Sequence, residues 1–108
     1  MMFYKKDDTG YKVVTEGVRL KTLVHGERTL LCEFRLEKGG VFSSHKHPHE
    51  QTGYLISGRI KLSIGDETFD VEPGDSWCIP LDVEHAAEIL EDSVVVEIFS
   101  PVREDYLS

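Results

Sequence analysis

The strongest constraint on this chain is an apolar–polar alternation with a period of two. Arg59-Ile60-Lys61-Leu62-Ser63-Ile64 is apolar at every second position, and after Gly65-Asp66 the pattern resumes over 67–72. Successive strand residues point to opposite faces, so such a run buries one face and leaves the other in water. Gly-Asp between two alternating runs is a tight-turn signal, and the pair predicts a β-hairpin. The same period places Leu30, Cys32, Phe34 and Leu36 on one face of 28–36. Residues 54–57 predict a short strand ending at Gly58. After the turn Pro73-Gly74-Asp75, Ser76–Ile79 predicts another, stopped by Pro80. Segments 83–89 and 93–99 predict two more strands joined by Leu90-Glu91-Asp92. No stretch sustains a 3.6-residue period over three turns. Many short strands punctuated by Gly and Pro predict an all-β sandwich or barrel, and the jelly roll closes well at this length.

A chain of 108 residues suits one domain, 1–108, with the barrel core over about 28–100. With 40% hydrophobic and 30% charged residues it can bury one core. The formal net charge of −8 argues against nucleic-acid binding and against adhesion to anionic membranes. An anionic substrate would need a local basic group. No apolar run approaches a membrane span, and Met1-Met2-Phe3-Tyr4-Lys5-Lys6-Asp7-Asp8 has no signal-peptide apolar region, so a cytoplasmic location is expected. Cys32 and Cys78 stand alone in apolar stretches and are expected to be buried thiols, not a disulfide.

Candidate chemistry gathers in Ser44-His45-Lys46-His47-Pro48-His49-Glu50-Gln51, with His85 far downstream. Residues 45, 47 and 51 share strand parity, so a single strand could aim all of them at one point and a second could supply His85. Imidazoles converging in this way make a transition-metal site. His49 shares the parity, but Pro48 disturbs the strand before it, so His49 is expected to face solvent or stand behind the ligands. Glu50 has the opposite parity and should point away, and His25 beside Gly26 reads as a loop histidine.

The spacing from Gly39 through His45, His47 and Gln51 to Gly58 resembles the first motif of the cupins, G-x5-H-x-H-x3-E-x6-G. Gly74, Pro80 and His85 resemble the second, G-x5-P-x-G-x2-H-x3-N. The resemblance implies a double-stranded β-helix, which is a jelly-roll barrel. It also implies one divalent transition metal (Zn, Ni, Fe, Mn or Cu) on His45, His47, Gln51 and His85. Gln51 replaces the motif's Glu, Asp82 a glycine and Ile89 the final Asn. A neutral amide beside three neutral imidazoles leaves a divalent ion its full charge and a stronger Lewis acidity. It also departs from the two-histidine, one-carboxylate set of oxygen-activating iron enzymes.

Glu97-Ile98-Phe99-Ser100-Pro101-Val102-Arg103-Glu104-Asp105, taken with His47–Gln51 and Gly74-Asp75-Ser76-Trp77, resembles the KdgF family of small cupins. That resemblance implies linearisation of 4,5-unsaturated uronates to 5-keto-4-deoxyuronate in pectin or alginate breakdown, with Glu97, Phe99 and Arg103 lining the site. The family's carboxylate is usually Asp, one methylene shorter than Glu97. The residue types suit these roles: a carboxylate that moves protons, an aromatic face for a sugar, and a planar fork for a uronate carboxylate. Arg103 could instead pair only with Glu104 or Asp105. Two other functions fit a three-histidine cupin: a dioxygenase acting on a diketone or phenolic, and a non-enzymatic module binding a sugar or other ligand. The family resemblance further implies a homodimer, with 18–24 as the strand offered to the partner.

Overall fold

The computed structural model describes residues 2–107. Its strands are β1 (Lys12–Thr15), β2 (Val18–His25), β3 (Leu30–Leu36), β4 (Val41–His45), β5 (Glu50–Ile64), β6 (Glu67–Val71), β7 (Ser76–Ile79) and β8 (His85–Ser100), followed by one 3-10 turn, Glu104–Tyr106. All pair antiparallel in the order β1-β2-β3-β8-β5-β6, with β4 also on β8 and β7 also on β5. The predicted alternation is realised in β3, where Leu30, Cys32, Phe34 and Leu36 are all buried. The hairpin joins β5 to β6 in register from Ile60↔Val71 to Ile64↔Glu67.

Two expected strand breaks do not occur. β5 continues through Gly58, and β8 begins at His85, not at 83, and continues through 90–92. Each long strand serves both halves of the barrel. The first half of β5 lies between β7 and the second half of β8, and its second half lies between β6 and the first half of β8. The fold therefore closes on itself along a seam, which the register shifts between Leu55 and Ile60 mark as a run of bulges. Gly58 sits there at φ +95°, where a Cβ would lie 2.1 Å from Ser93 Oγ and 2.4 Å from the Asp92 carbonyl. The glycine thus bends the strand; it does not end it. Buried Ser93 stitches the seam, accepting from the Arg59 N–H at 3.1 Å and donating to the Glu91 carbonyl at 2.7 Å.

The core joins both halves: Leu30, Phe34, Leu55, Val95 and Phe99 from one, Ile60, Leu62, Val71 and Ile89 from the other. Tyr106 caps it edge-on to Phe34 and Phe99, at centroid distances of 6.2 and 5.5 Å, and the Thr22 hydroxyl donates to its carbonyl at 2.7 Å. This turn closes one end of the barrel beside the histidines.

Three smaller expectations need correction. β2 is paired on both sides, with β1 and β3, so 18–24 is no free edge. β1, at the end of the strand order, is paired on one side only. His25 is the last residue of β2 and not a loop residue, although it is exposed. Cys78 is exposed, because Ile79 faces the core and its neighbour in β7 must face out. Cys32 is buried as expected, and burial pushes its thiol up to about 11. Both cysteines are free.

Candidate metal centre

His45, His47 and His85 offer ring nitrogens that all lie within 4.8 Å of one another. A single strand does not carry His45, His47 and Gln51, as the parity argument supposed, although a distant strand does supply His85. His45 ends β4, His47 lies in the connection, and Gln51 is the second residue of β5. His85 opens β8 and pairs directly with His45 in the β4–β8 register. The ring centroids stand 4.2 Å apart for His45–His85, 5.0 Å for His47–His85 and 5.7 Å for His45–His47.

The hydrogen bonds fix which nitrogens face the cluster. A carbonyl oxygen only accepts, so the Nδ1–H of His45 donates to the Ser43 carbonyl at 2.8 Å and that of His85 to the Val83 carbonyl at 2.9 Å. Nε2 of each is then an unprotonated lone pair. That of His85 is buried with no hydrogen-bond partner. A buried lone pair without a donor is costly, and a cation relieves it. His47 Nε2 faces Gln51 Oε1 at 3.0 Å. Two donors about 2.1 Å from one ion and at right angles to each other stand ~3 Å apart, so this spacing suits a shared metal as well as a hydrogen bond. The donor set fits a divalent transition metal.

Electrostatics prepare the imidazoles for the same task. Burial first, then the charges of Arg103 and His85, hold His47 down to about 4, and burial also lowers His85. Neutral imidazole is the ligating form, so protons compete poorly here near neutral pH.

Glu97 and Phe99 both face inward from β8 and are buried. Glu97 Oε2 accepts from Gln51 Nε2 at 2.6 Å, and Oε1 accepts from Trp77 Nε1 at 3.2 Å. Burial pushes this carboxyl up to about 7, against the opposing pull of those two donors and of Arg103. Because an ionised carboxylate takes only donors, it turns the Gln51 amide nitrogen toward itself and leaves Oε1 directed at His47. Arg103 has Nε and Nη2 taken by Asp105 at 3.2 and 2.7 Å, as its ordinary pairing option foresaw. Its guanidinium nonetheless lines the cavity, 4.0 Å from the Tyr106 ring centroid and 5.2 Å from that of Phe99.

The cavity holding these groups measures about 50 Å³. His45, His85, Gln51, Glu97, Phe99 and Arg103 meet there, and an apolar part of the lining comes from Phe34, Leu36, Phe42, Leu62 and Val95. His49 is not part of the cluster. It is half-buried, with its ring 5.4 Å from that of His47. Glu50 points out, as expected. Trp77 is a further site residue, signalled in the sequence by its shared parity with the inward-facing Ile79.

A family model described as Cupin domain matches residues 32–100. The chain belongs to the cupin family. Among cupins it is 26% identical to the pectin degradation protein KdgF of Dickeya dadantii over 107 residues, covering 97% of each chain. The solved structure of KdgF from Halomonas sp. superimposes with a TM-score of 0.91 at 31% identity, covering 97% of this chain and 99% of that one. An RmlC-like cupin from Shewanella frigidimarina superimposes at 0.93 with 23% identity, covering 99% and 96%, which supports the fold alone.

Proposed function

We propose that this cupin is a metal-dependent enzyme that opens the ring of 4,5-unsaturated uronates to give 5-keto-4-deoxyuronate. The observation that carries the proposal is a buried carboxylate, Glu97, lining one cavity with His45 and His85, in a chain similar along its length to KdgF proteins. The metal would be held by His45, His47, His85 and Gln51. When bound it would supply Lewis acidity toward a substrate oxygen.

The reaction is an isomerisation. The anomeric hydroxyl loses its proton, the bond from C1 to the ring oxygen breaks, and the resulting enol at C5 becomes a ketone as C4 gains a proton. Such a sequence needs a group that takes a proton and returns it, and a carboxyl pushed up to about 7 holds both forms near neutral pH. Glu97 is that group. Arg103 is the cation available to a uronate carboxylate, in a chain whose net charge is −8. Its Nη1 carries no hydrogen bond among the described residues. Phe99 offers a wall for the sugar face, and Tyr106 holds the guanidinium by stacking.

The test is loss of the enol-ether absorbance of unsaturated galacturonate, and of its alginate-derived counterpart, with metal-loaded protein. Equal rates in protein and buffer for both sugars would refute the assignment. The apolar part of the lining favours one alternative, a dioxygenase acting on a phenolic or diketone. Oxygen consumption by the iron-loaded protein against such substrates distinguishes it. A homodimer would pair through β1, which is bonded on one side only and leaves Val13 and Val14 exposed.

A further inference from the structure

Trp77 is the chain's one tryptophan, and nothing in the ring-opening chemistry uses it. Its placement is specific. Gly53 pairs with Trp77 of β7 on one side and with Glu97 of β8 on the other, so the three form a cross-strand row with glycine at the centre. Any Cβ at 53 would lie 2.3–2.4 Å from indole atoms Cε2, Cζ2 and Nε1. The indole therefore lies across the bare backbone of Gly53 and extends its N–H to Glu97 Oε1 at 3.2 Å. A side chain in the middle of the row would block that reach.

We propose that Trp77, lying over Gly53, is a positioning residue that locks the Glu97 carboxylate and, through it, the orientation of the Gln51 amide. The chain of contacts is continuous. The indole N–H occupies one carboxylate oxygen, the Gln51 amide nitrogen occupies the other at 2.6 Å, and the Gln51 amide oxygen is left facing His47 Nε2 at 3.0 Å. Removing the indole N–H frees one oxygen. The carboxylate can then rotate, and the amide loses the fixed acceptor that sets its direction. An indole is suited to this duty because it donates one hydrogen bond and accepts none. It cannot reverse its role as a hydroxyl or amide could. Groups that orient a ligand from behind commonly change metal affinity 10- to 100-fold when removed.

This inference rests on the ring-opening assignment only for its kinetic arm. Trp77→Phe keeps an aromatic ring over Gly53 and deletes the donor. Zn(II), which has no redox chemistry, is titrated into chelator-stripped parent and variant by calorimetry. The expected result is ~10-fold weaker binding in the folded variant. With uronate substrate, kcat should fall ~10-fold while KM moves less than ~3-fold, because the lost function is orientation and not substrate binding. Independently, at Zn(II) concentrations that saturate both proteins by calorimetry, the emission of Trp77 in the parent should change on Zn(II) binding, and Gln51→Ala should abolish most of that change although Gln51 makes no hydrogen bond to the indole. That arm needs no Trp77 variant, so it decides the matter even where Trp77→Phe fails to fold. Zn(II) affinity within twofold of the parent, or an emission change that survives Gln51→Ala, would overturn the proposal. If parent protein acts on no unsaturated uronate, the ring-opening assignment falls while the calorimetric and emission arms still judge Trp77.

Discussion

Glu97→Gln in metal-free protein is the sharpest probe of the cavity. Burial raises the Glu97 carboxyl from 4.5 to about 7. At ~1.4 kcal/mol per pKa unit, the folded protein holds this proton more tightly than the unfolded chain by about 3 kcal/mol. The sign follows from proton binding. Between pH 4.5 and 7 the native state binds more protons than the unfolded state, so stability falls as pH rises. The contribution is complete below about 4.5 and gone above about 7. The buried imidazoles act oppositely: His47 and His85 are lowered, so their share is present above 6.5 and lost as pH falls below it, for His47 through about 4. Parent and variant share the imidazoles, so the difference between the two proteins isolates Glu97. Urea unfolding of chelator-treated parent and Glu97→Gln, from pH 4.5 to 8.5, should give a stability difference that moves by about 3 kcal/mol across the range. In Tm this is on the order of 10 °C or more for a domain of this size. The parent should do relatively worse at high pH. A difference that stays flat would show that the carboxyl is not displaced by burial, and the proton-shuttle role assigned to it would fall with that result.

Metal content after dialysis should hold at pH 6.5 and drop at pH 4, because the depressed imidazoles at His47 and His85 resist protonation until well below their ordinary range; elemental analysis at each pH checks this. Alanine at 45, 47 or 85 should abolish stoichiometric metal, whereas His49→Ala should retain it, as the same analysis would show. Gly58→Ala should cost ~3 kcal/mol or more, because it forces φ +95° on a residue with a Cβ and drives that Cβ to 2.1 Å from Ser93 Oγ. Thermal unfolding measures it, and a loss below ~1 kcal/mol would show that the seam relaxes freely.

Much of the fold was legible because alternation reports burial directly. Leu30, Cys32, Phe34 and Leu36, and the hairpin from Ile60 to Val71, lie where the period put them. The seam was not legible. Gly58 and Leu90-Glu91-Asp92 carry the local chemistry of strand ends, yet tertiary pairing carries β5 and β8 straight through them. A propensity signal cannot distinguish a bend from a stop when the partner strand is distant in sequence. At the site, spacing placed the three histidines and Gln51 together, but for a partly mistaken reason: a loop and three strands converge where parity suggested two strands. The role of Trp77 is not legible in sequence, because it depends on the glycine paired with it on β5. Cys78 was misplaced because an apolar neighbourhood was weighed above parity.

The self-contained way in which His45 and His85 are held has a consequence for how such a site drifts and how it could be transplanted. Each ring is anchored to a carbonyl two residues back in its own segment, not to another side chain. Replacing neighbouring side chains therefore leaves both rings correctly protonated for ligation. Inserting or deleting a residue within 43–45 or 83–85 would disarm them at once. A lineage built on this scaffold can exchange the lining of its pocket, and with it the molecule it accepts, without rebuilding those two ligands. For the same reason the two three-residue segments are portable parts, ready to be set at the meeting ends of paired strands in another barrel.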